Sequence, residues 1–537
     1  MTDTTTSAPG QATRRYLRAL RDRTPGPIDW SAAPARYKRY PPTGRVVLPW
    51  TTSPDVPDKP RLALISTLLR HLLSLRTRWA HPLTDAGLPA GAPPGVIVGR
   101  PAPSGGALYP LEAYLATNPA PGRAAALYHY DAAHHCLDFL RSGDHRAALV
   151  SLLATPPAAL PDVVLVLCAV FWRNGFKYGE FAYRLHCQET GVLTAQALTL
   201  AEGLDLTATV HLTFADHPTQ DLLGLDPTRE GPLAVLTLTA PQTPPPPASH
   251  PSLADLIARP AAQADNPPPA VTESLPHLIA LHTAAAHCSS GRPEQAIAPP
   301  ALPEPRTGAD VRLPHAHRVR LADGIAARAS APTGYQPTVL DPESLAAVLA
   351  CAAIGYPGDL PGTRCAPVSV TPYLLVHRVT GIAPGAYRYQ PDTHTLIPVG
   401  DPHALAMLTR GPLQPNTRHA LPEAAAVLLP VGDPLVGAPR FGDRWYRIQQ
   451  METGLIIHRA TLAATALGLA ARIHSDGTND ATDTALGLPP TSLRSLSFLL
   501  LGHHRPGPTL CSYNDPFPPN LGRCKRSPPP AQGLTRK

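Results

Sequence analysis

The stretch from Arg100 to Leu115, RPAPSGGALYPLEAYL, carries the residue types best suited to holding a ligand. Its Pro-Ser-Gly-Gly turn lets the backbone approach a bound group with no Cβ in the way. A loop of small residues presenting bare N–H groups suits a cofactor with electronegative edges or a phosphate. The segment Leu108 to Thr117 is apolar and aromatic and predicts a strand entering a core. Such a loop needs regular structure to fix it, so its meaning depends on its neighbours.

Periodicity supplies those neighbours. Leucines at helical spacing predict a core helix from Arg61 to Trp79, after a short basic helix over residues 13–23. Leu127 to Leu140 reads as a hairpin. The unbroken apolar run Val163 to Phe171 has the length of a buried central strand. Glu180 to Leu204 predicts a long helix, and Val235 to Leu238 a closing strand.

Composition bounds the function. At 537 residues the chain is too long for one core. The net charge of +7 comes mostly from scattered arginines with no basic block, which disfavours nucleic acid as a partner. Eight cysteines lack any C-x-x-C pair, which points to a reducing compartment and no structural zinc. The polar N-terminus shows no secretory signal, and the longest apolar run, Leu160 to Trp172, contains Asp162 and is too short for a bilayer. A soluble, cytoplasmic protein without a membrane partner is expected.

The 69 prolines are densest in two stretches, which divide the chain. Residues 1–60 form an extended and helical lead-in segment, 61–240 a first domain, and 241–310 a semi-rigid proline-rich linker. Within the linker, Ser252 to Arg259 and Ser274 to His287 are short helix candidates. Residues 311–505 form a second domain, and 506–537 a proline-rich basic tail.

The two domains are copies. Adding 263 to each number carries Lys177–His211 onto Arg440–His474 without a gap, with 12 of 35 positions identical. Ordinary residue frequencies give roughly two or three. Tyr128, Tyr130 and His135 likewise match Tyr387, Tyr389 and His394. A tandem duplication stands in for a homodimer, because a self-complementary interface survives fusion. The halves differ where chemistry is expected. CAPVSVTPYLLV of the second copy has lost the serine and the glycine pair, whereas Arg328-Ala329-Ser330 has no clear equivalent in the first. Each half then keeps half of a site.

These motifs, with Lys177-Tyr178-Gly179-Glu180, the shared YR and ETG, and the late LLGLD and LGLPP, resemble the FMN-dependent nitroreductase superfamily. More narrowly, they resemble its SagB-type azoline dehydrogenase branch in tandem form. The resemblance implies an α+β fold of two nitroreductase-like domains. Each would be a mainly antiparallel sheet flanked by helices, and together they would form an intramolecular pseudo-dimer with FMN between them. It places Arg328 and Ser330 on the arm that holds the flavin phosphate, and Ser104, Gly105, Gly106 and Ala107 on the flavin loop. A second basic residue of that arm is replaced by Pro332, for which Arg505 is the candidate substitute.

The branch oxidises thiazolines or oxazolines of a precursor peptide to azoles, beside a cyclodehydratase, and the resemblance assigns the base to the Lys177–Tyr178 pair. A lysine must be desolvated to act so, or else must lower the neighbouring phenol. Adjacent helical side chains diverge by about 100°, so both reach one substrate only at an irregular helix start, which Gly179 offers. The second copy has Arg440 and Phe441 there, neither able to accept a proton. Tyr183, Arg184 and Glu189 read as helix-face packing and charge pairing, and His211 and His474 as structural. The doublets His134-His135 and His503-His504 lack partners at metal spacing. Two rival functions stand: an NAD(P)H-dependent nitro or flavin reductase, and a degenerate scaffold that binds peptide without redox chemistry.

Overall fold

Two antiparallel sheets of the same strand order form the body of the computed structural model. It describes residues 8–21, 26–50, 60–80, 95–117, 125–241, 251–286, 302–306, 308–331, 334–490, 492–505 and 511–512. In the first sheet Val46–Val47, Cys136–Ser142, Ala126–Asp131, Leu111–Thr117, Val163–Val170, Glu230–Thr239 and Thr207–His211 lie side by side in that order. In the second, Val311–Arg312, Thr395–Val399, Gly385–Gln390, Thr371–Val376, Ala426–Gly432 and Phe498–His504 repeat it. Ala470–His474 then pairs with Phe498–His504 as Thr207–His211 pairs with Glu230–Thr239. Val163–Val170 and Ala426–Gly432 are buried along their whole length, as expected of central strands covered on both faces.

The duplication extends to side chains. The Tyr130 hydroxyl meets His135 Nδ1 at 2.8 Å, and Tyr389 meets His394 Nδ1 at 2.7 Å. Both histidines sit in the left-handed region, with φ of 52° and 53°.

The long helices Ala182–Gly203 and Arg444–Ala466 pack against each other through Gly191 and Gly454, which are 263 residues apart. A Cβ on Gly191 would run into the Met451 carbonyl, and one on Gly454 into the Gln188 carbonyl. Only glycine lets the two backbones approach this closely. Around this crossing the Arg184 guanidinium donates to the carbonyls of Ser495 (3.2 Å) and Leu496 (2.7 Å). Its copy Arg447 donates to the carbonyl of Pro232 (3.1 Å) and to Asp216 (2.7 Å). Pro232 and Ser495 are again 263 apart, so the contact is self-complementary in the way of a two-fold dimer. Arg184 thus spans the two repeats and is no helix-face charge pair.

The N-terminal helix Gln11–Arg21 lies over this pseudo-dyad. Fully buried Tyr16 sits edge-on between Tyr183 (6.1 Å) and its copy Tyr446 (5.4 Å). Its hydroxyl donates to the Glu180 carbonyl at 2.8 Å and accepts the Arg184 N–H at 3.2 Å.

Three expectations change. The helix predicted to Trp79 is Pro60–Leu73, and Arg76–Ala80 is instead a strand paired with Gly95–Gly99. The alternating Arg-Thr-Arg-Trp favours a strand more than the preceding leucines suggest. The strand expected from Leu108 starts at Leu111, because Tyr109 takes φ of +50° and Pro110 follows it. The largest change concerns the linker. Its predicted helices form as Leu253–Ala258 and Pro276–Ala286, and Leu256, Val271, Leu275, Leu278 and Leu281 are buried to 2% exposure or less. Glu180 caps the second helix by accepting the N–H groups of His277 (2.9 Å) and Leu278 (2.6 Å). Residues 251–286 are therefore part of the first repeat's core, since each buried leucine contributes roughly 1.5–3 kcal/mol that a free linker would forgo. Among the described residues no helix is long and apolar enough to cross a membrane.

Candidate functional site

Ser104 is extended, and Gly106, Ala107 and Tyr109 then take φ of 65°, 54° and 50°. Two of these are non-glycine residues in the left-handed region, a conformation that costs of order 1 kcal/mol or more each and clusters at ligand sites. The turn is held internally. The Ser104 hydroxyl accepts the Tyr109 N–H (2.8 Å), and the Ser104 carbonyl accepts that of Ala107 (3.1 Å). The N–H of Gly105 is not bare: it donates to the Glu189 carboxylate at 2.9 Å.

Lys177 and Tyr178 end the short helix Phe171–Tyr178, and Gly179, at φ +55° and ψ −141°, separates it from the long helix. The pair stands at a helix end where a helix start was expected, and the glycine break serves either way. A Cβ on Gly106 would lie 2.6 Å from the Tyr178 hydroxyl and 2.9 Å from Lys177 Nζ. Both side chains therefore converge on that glycine, and a larger residue would displace them. Lys177 Nζ lies 5.2 Å from the Tyr178 ring centroid and 5.6 Å from that of Trp30. Burial, reinforced by Glu189, pushes the Tyr178 phenol up to about 12, opposite to the lowering that a neighbouring lysine cation would give.

The other end of the loop meets the second repeat. Arg328 follows the helix Leu321–Ala327, and its Nε donates to the Pro101 carbonyl at 2.7 Å. Its Nη1 donates to the Ser330 hydroxyl at 3.4 Å. The arm and the loop, 227 residues apart, are thus brought together, with the arm at Pro101 and the Lys–Tyr pair at Gly106. Arg328 is buried, which lowers its pKa to about 10 with Arg76 adding like charge. Buried Arg100 lies over the Tyr109 ring at 5.3 Å and donates to the Leu111 carbonyl at 3.2 Å, which braces the rear of the loop. Pro332 lies outside the described residues. Arg505 pairs with Glu423, and that ion pair commits its charge.

Glu189 holds the loop, where its place along the helix predicts only packing and charge pairing. It is buried and accepts from Gly105 and, at 3.4 Å, from Asn174 Nδ2. Burial pushes its carboxyl up to about 7 against the hydrogen bonds of Ser104, Gly105 and Asn174. The signal was its retention in both copies, since Glu452 likewise accepts the N–H groups of Val368 (3.0 Å) and Ser369 (2.6 Å). An unfolded glutamate ionises near 4.5, so between about 4.5 and 7 the folded state binds the extra proton. This group's contribution to stability is therefore greatest below 4.5 and is lost as pH rises to about 7, by about 3 kcal/mol in all. Glu189→Gln should flatten that slope: the melting-temperature gap between wild type and variant, measured from pH 5 to 8, should shift in the variant's favour as pH rises. An unchanged gap would refute it.

In the second copy the surroundings of Glu452 differ from those of Glu189. Tyr356, 2% exposed, donates to Glu452 at 2.7 Å and packs into the first repeat's core. Asp359 accepts the N–H groups of Leu212 (3.0 Å) and Thr213 (2.8 Å). Arg440 lies 5.1 Å from the Phe441 ring, which stacks on Trp445. His211 and His474 are buried beside Thr237 and Thr417. Among the described residues Asp131, Cys136 and Asp138 could surround a cation, but Arg45 already pairs with Asp138 at 2.7 Å.

Two antiparallel sheets of one strand order, joined through two crossing helices, match the fold of a solved nitroreductase-like structure over both repeats. Residues 325–503 carry a domain of the Nitroreductase family. A crystal structure of a candidate nitroreductase from Anabaena variabilis superposes over 93% of this chain and 100% of its own, at 22% identity and a TM-score of 0.69. It shares the fold over both repeats. In sequence, the chain is 31% identical over 144 residues to the microcin B17-processing protein McbC of Escherichia coli. That match covers 26% of this chain and 53% of McbC, so the chain spans about half the length of this curated relative.

Proposed function

We propose that this chain is an FMN-dependent dehydrogenase that oxidises thiazolines or oxazolines of a ribosomally made peptide to thiazoles or oxazoles. The observation that carries the reading is the convergence of Lys177 and Tyr178 on Gly106, in a loop whose far end meets Arg328 of the other repeat. The similarity to a microcin B17-processing protein supports a peptide substrate.

The donor set fits a flavin: the arm's Arg328 and Ser330 offer a guanidinium and a hydroxyl suited to the flavin phosphate, and they meet the loop at Pro101. Bound FMN would supply a two-electron acceptor that dioxygen can reoxidise. Azoline oxidation breaks two C–H bonds on adjacent ring carbons and forms a C=C bond, releasing one proton and one hydride. The chain's own task is the proton. Tyr178, whose phenol resists ionisation, acts as a hydrogen-bond donor that orients the ring. Lys177 takes the proton once substrate has displaced water from its amine. Glu189 holds Gly105, and with it the loop. The second copy, with Arg440 and Phe441 in these places, contributes the arm and no base.

Azolines form by loss of water from cysteine, serine or threonine and the preceding amide, so a cyclodehydratase must act first and is the expected partner. The test is the purified chain incubated with a synthetic thiazoline peptide under air. A yellow protein and a product lighter by two hydrogens are expected. A yellow protein that instead consumes NADPH with a nitroaromatic and leaves the thiazoline intact would establish a reductase. A colourless protein after FMN is added would establish a scaffold.

A further inference from the structure

A cavity of about 130 Å³ opens between Trp30 and the loop, lined also by Val98, Tyr109, Phe176, Arg36, Arg100 and Arg173, and Lys177 Nζ reaches the Trp30 ring at its edge. A cavity of roughly 150 Å³ is enough to hold a benzene ring, so this one has room for a small ring. One side is the end of the flavin loop, Ala107 to Tyr109. The opposite side is the lead-in segment, at Trp30, Ala33, Pro34, Arg36 and Tyr37. That segment is fixed in place: Asp29 accepts the N–H of Ser31 at 2.9 Å, and Trp172 Nε1 donates to the Ala32 carbonyl at 2.9 Å. Trp30 is nonetheless 61% exposed. Its ring touches Phe176 edge-on at 5.7 Å and Lys177 at 5.6 Å, and leaves the rest of the indole bare. Exposed Val98 lines the same cavity.

A large aromatic left in water next to a base is costly unless something covers it, and a flat ring is what an indole face covers best. We propose that Trp30 is the substrate-side wall of this site, stacking on the azoline ring of the bound peptide and pressing it toward the loop at Ala107–Tyr109. The assignment rests on the azoline reading above. Trp30 contributes binding and not proton transfer, so its removal acts on KM.

The experiment measures steady-state oxidation of the synthetic thiazoline peptide by the FMN-loaded full chain, as wild type, Trp30→Ala and Trp30→Phe. The exposed position spares the fold, and flavin content by absorbance should match in all three. The expected result is a KM raised about three- to tenfold in Trp30→Ala with kcat within twofold, and most of the loss recovered in Trp30→Phe. An unchanged KM in Trp30→Ala, with wild type active, would overturn the wall alone. A fall in kcat at constant KM would also overturn it, because Trp30 would then act by placing Lys177. A wild type that leaves the thiazoline untouched would overturn the azoline reading and this assignment with it.

Discussion

Lys177→Ala should keep its flavin and lose azole formation by about 10²- to 10⁴-fold, the range that removing a positioned proton acceptor costs. Lys177 stands beside the loop and not within it, so the cradle of Gly105, Gly106 and Arg328 survives the change. Lys177→Arg sharpens the test, since it keeps the positive charge over Trp30 and Tyr178 but cannot give up a proton. It should be as inactive as the alanine variant. Flavin absorbance and single-turnover product formation separate the two effects. A Lys177→Ala protein that is colourless would make the lysine part of the cofactor cradle, and one that is active would move the base elsewhere.

Gly191→Ala should damage the whole molecule. Its new methyl would meet the Met451 carbonyl, a backbone atom that cannot swing aside, so the two long helices must separate. Overpacking of ordinary cores costs about 1–3 kcal/mol, and a clash with backbone falls at or above the top of that range. Because the crossing holds the two repeats in register, the arm at Arg328 should part from Pro101 and flavin should be lost together with melting temperature. Gly454→Ala should do the same from the other side, while Gly26→Ala, where a Cβ meets nothing within 4 Å, should be silent. Equal melting temperatures for all three would show that the crossing is loose.

Much of this arrangement was readable from residue order, for physical reasons. The central strands are unbroken apolar runs, and the duplication itself gave each reading an internal control. It exposed the loss of the glycine pair in the second copy, on which the proposal of one composite site rests. What the sequence hid were contacts between distant side chains. The Glu189–Gly105 bond spans 84 residues and looks, along the helix, like one more surface carboxylate. Arg184 looked like half of a helix salt bridge because its true acceptors, Ser495 and Leu496, are backbone carbonyls with no residue signature. The linker misled for another reason. Its prolines dominate the composition, but a few leucines at helical spacing were enough to bury it.

The glycine crossing also sets how the site responds to dilution. Where two separate chains share such a contact, each site exists only while they are associated, and it falls apart as protein becomes scarce. Here one backbone carries both faces, so the second face is always present at the high effective concentration that a tether imposes. Assembly of the arm with the loop becomes a step of folding, completed once per chain, and a scarce protein keeps as whole a site as an abundant one.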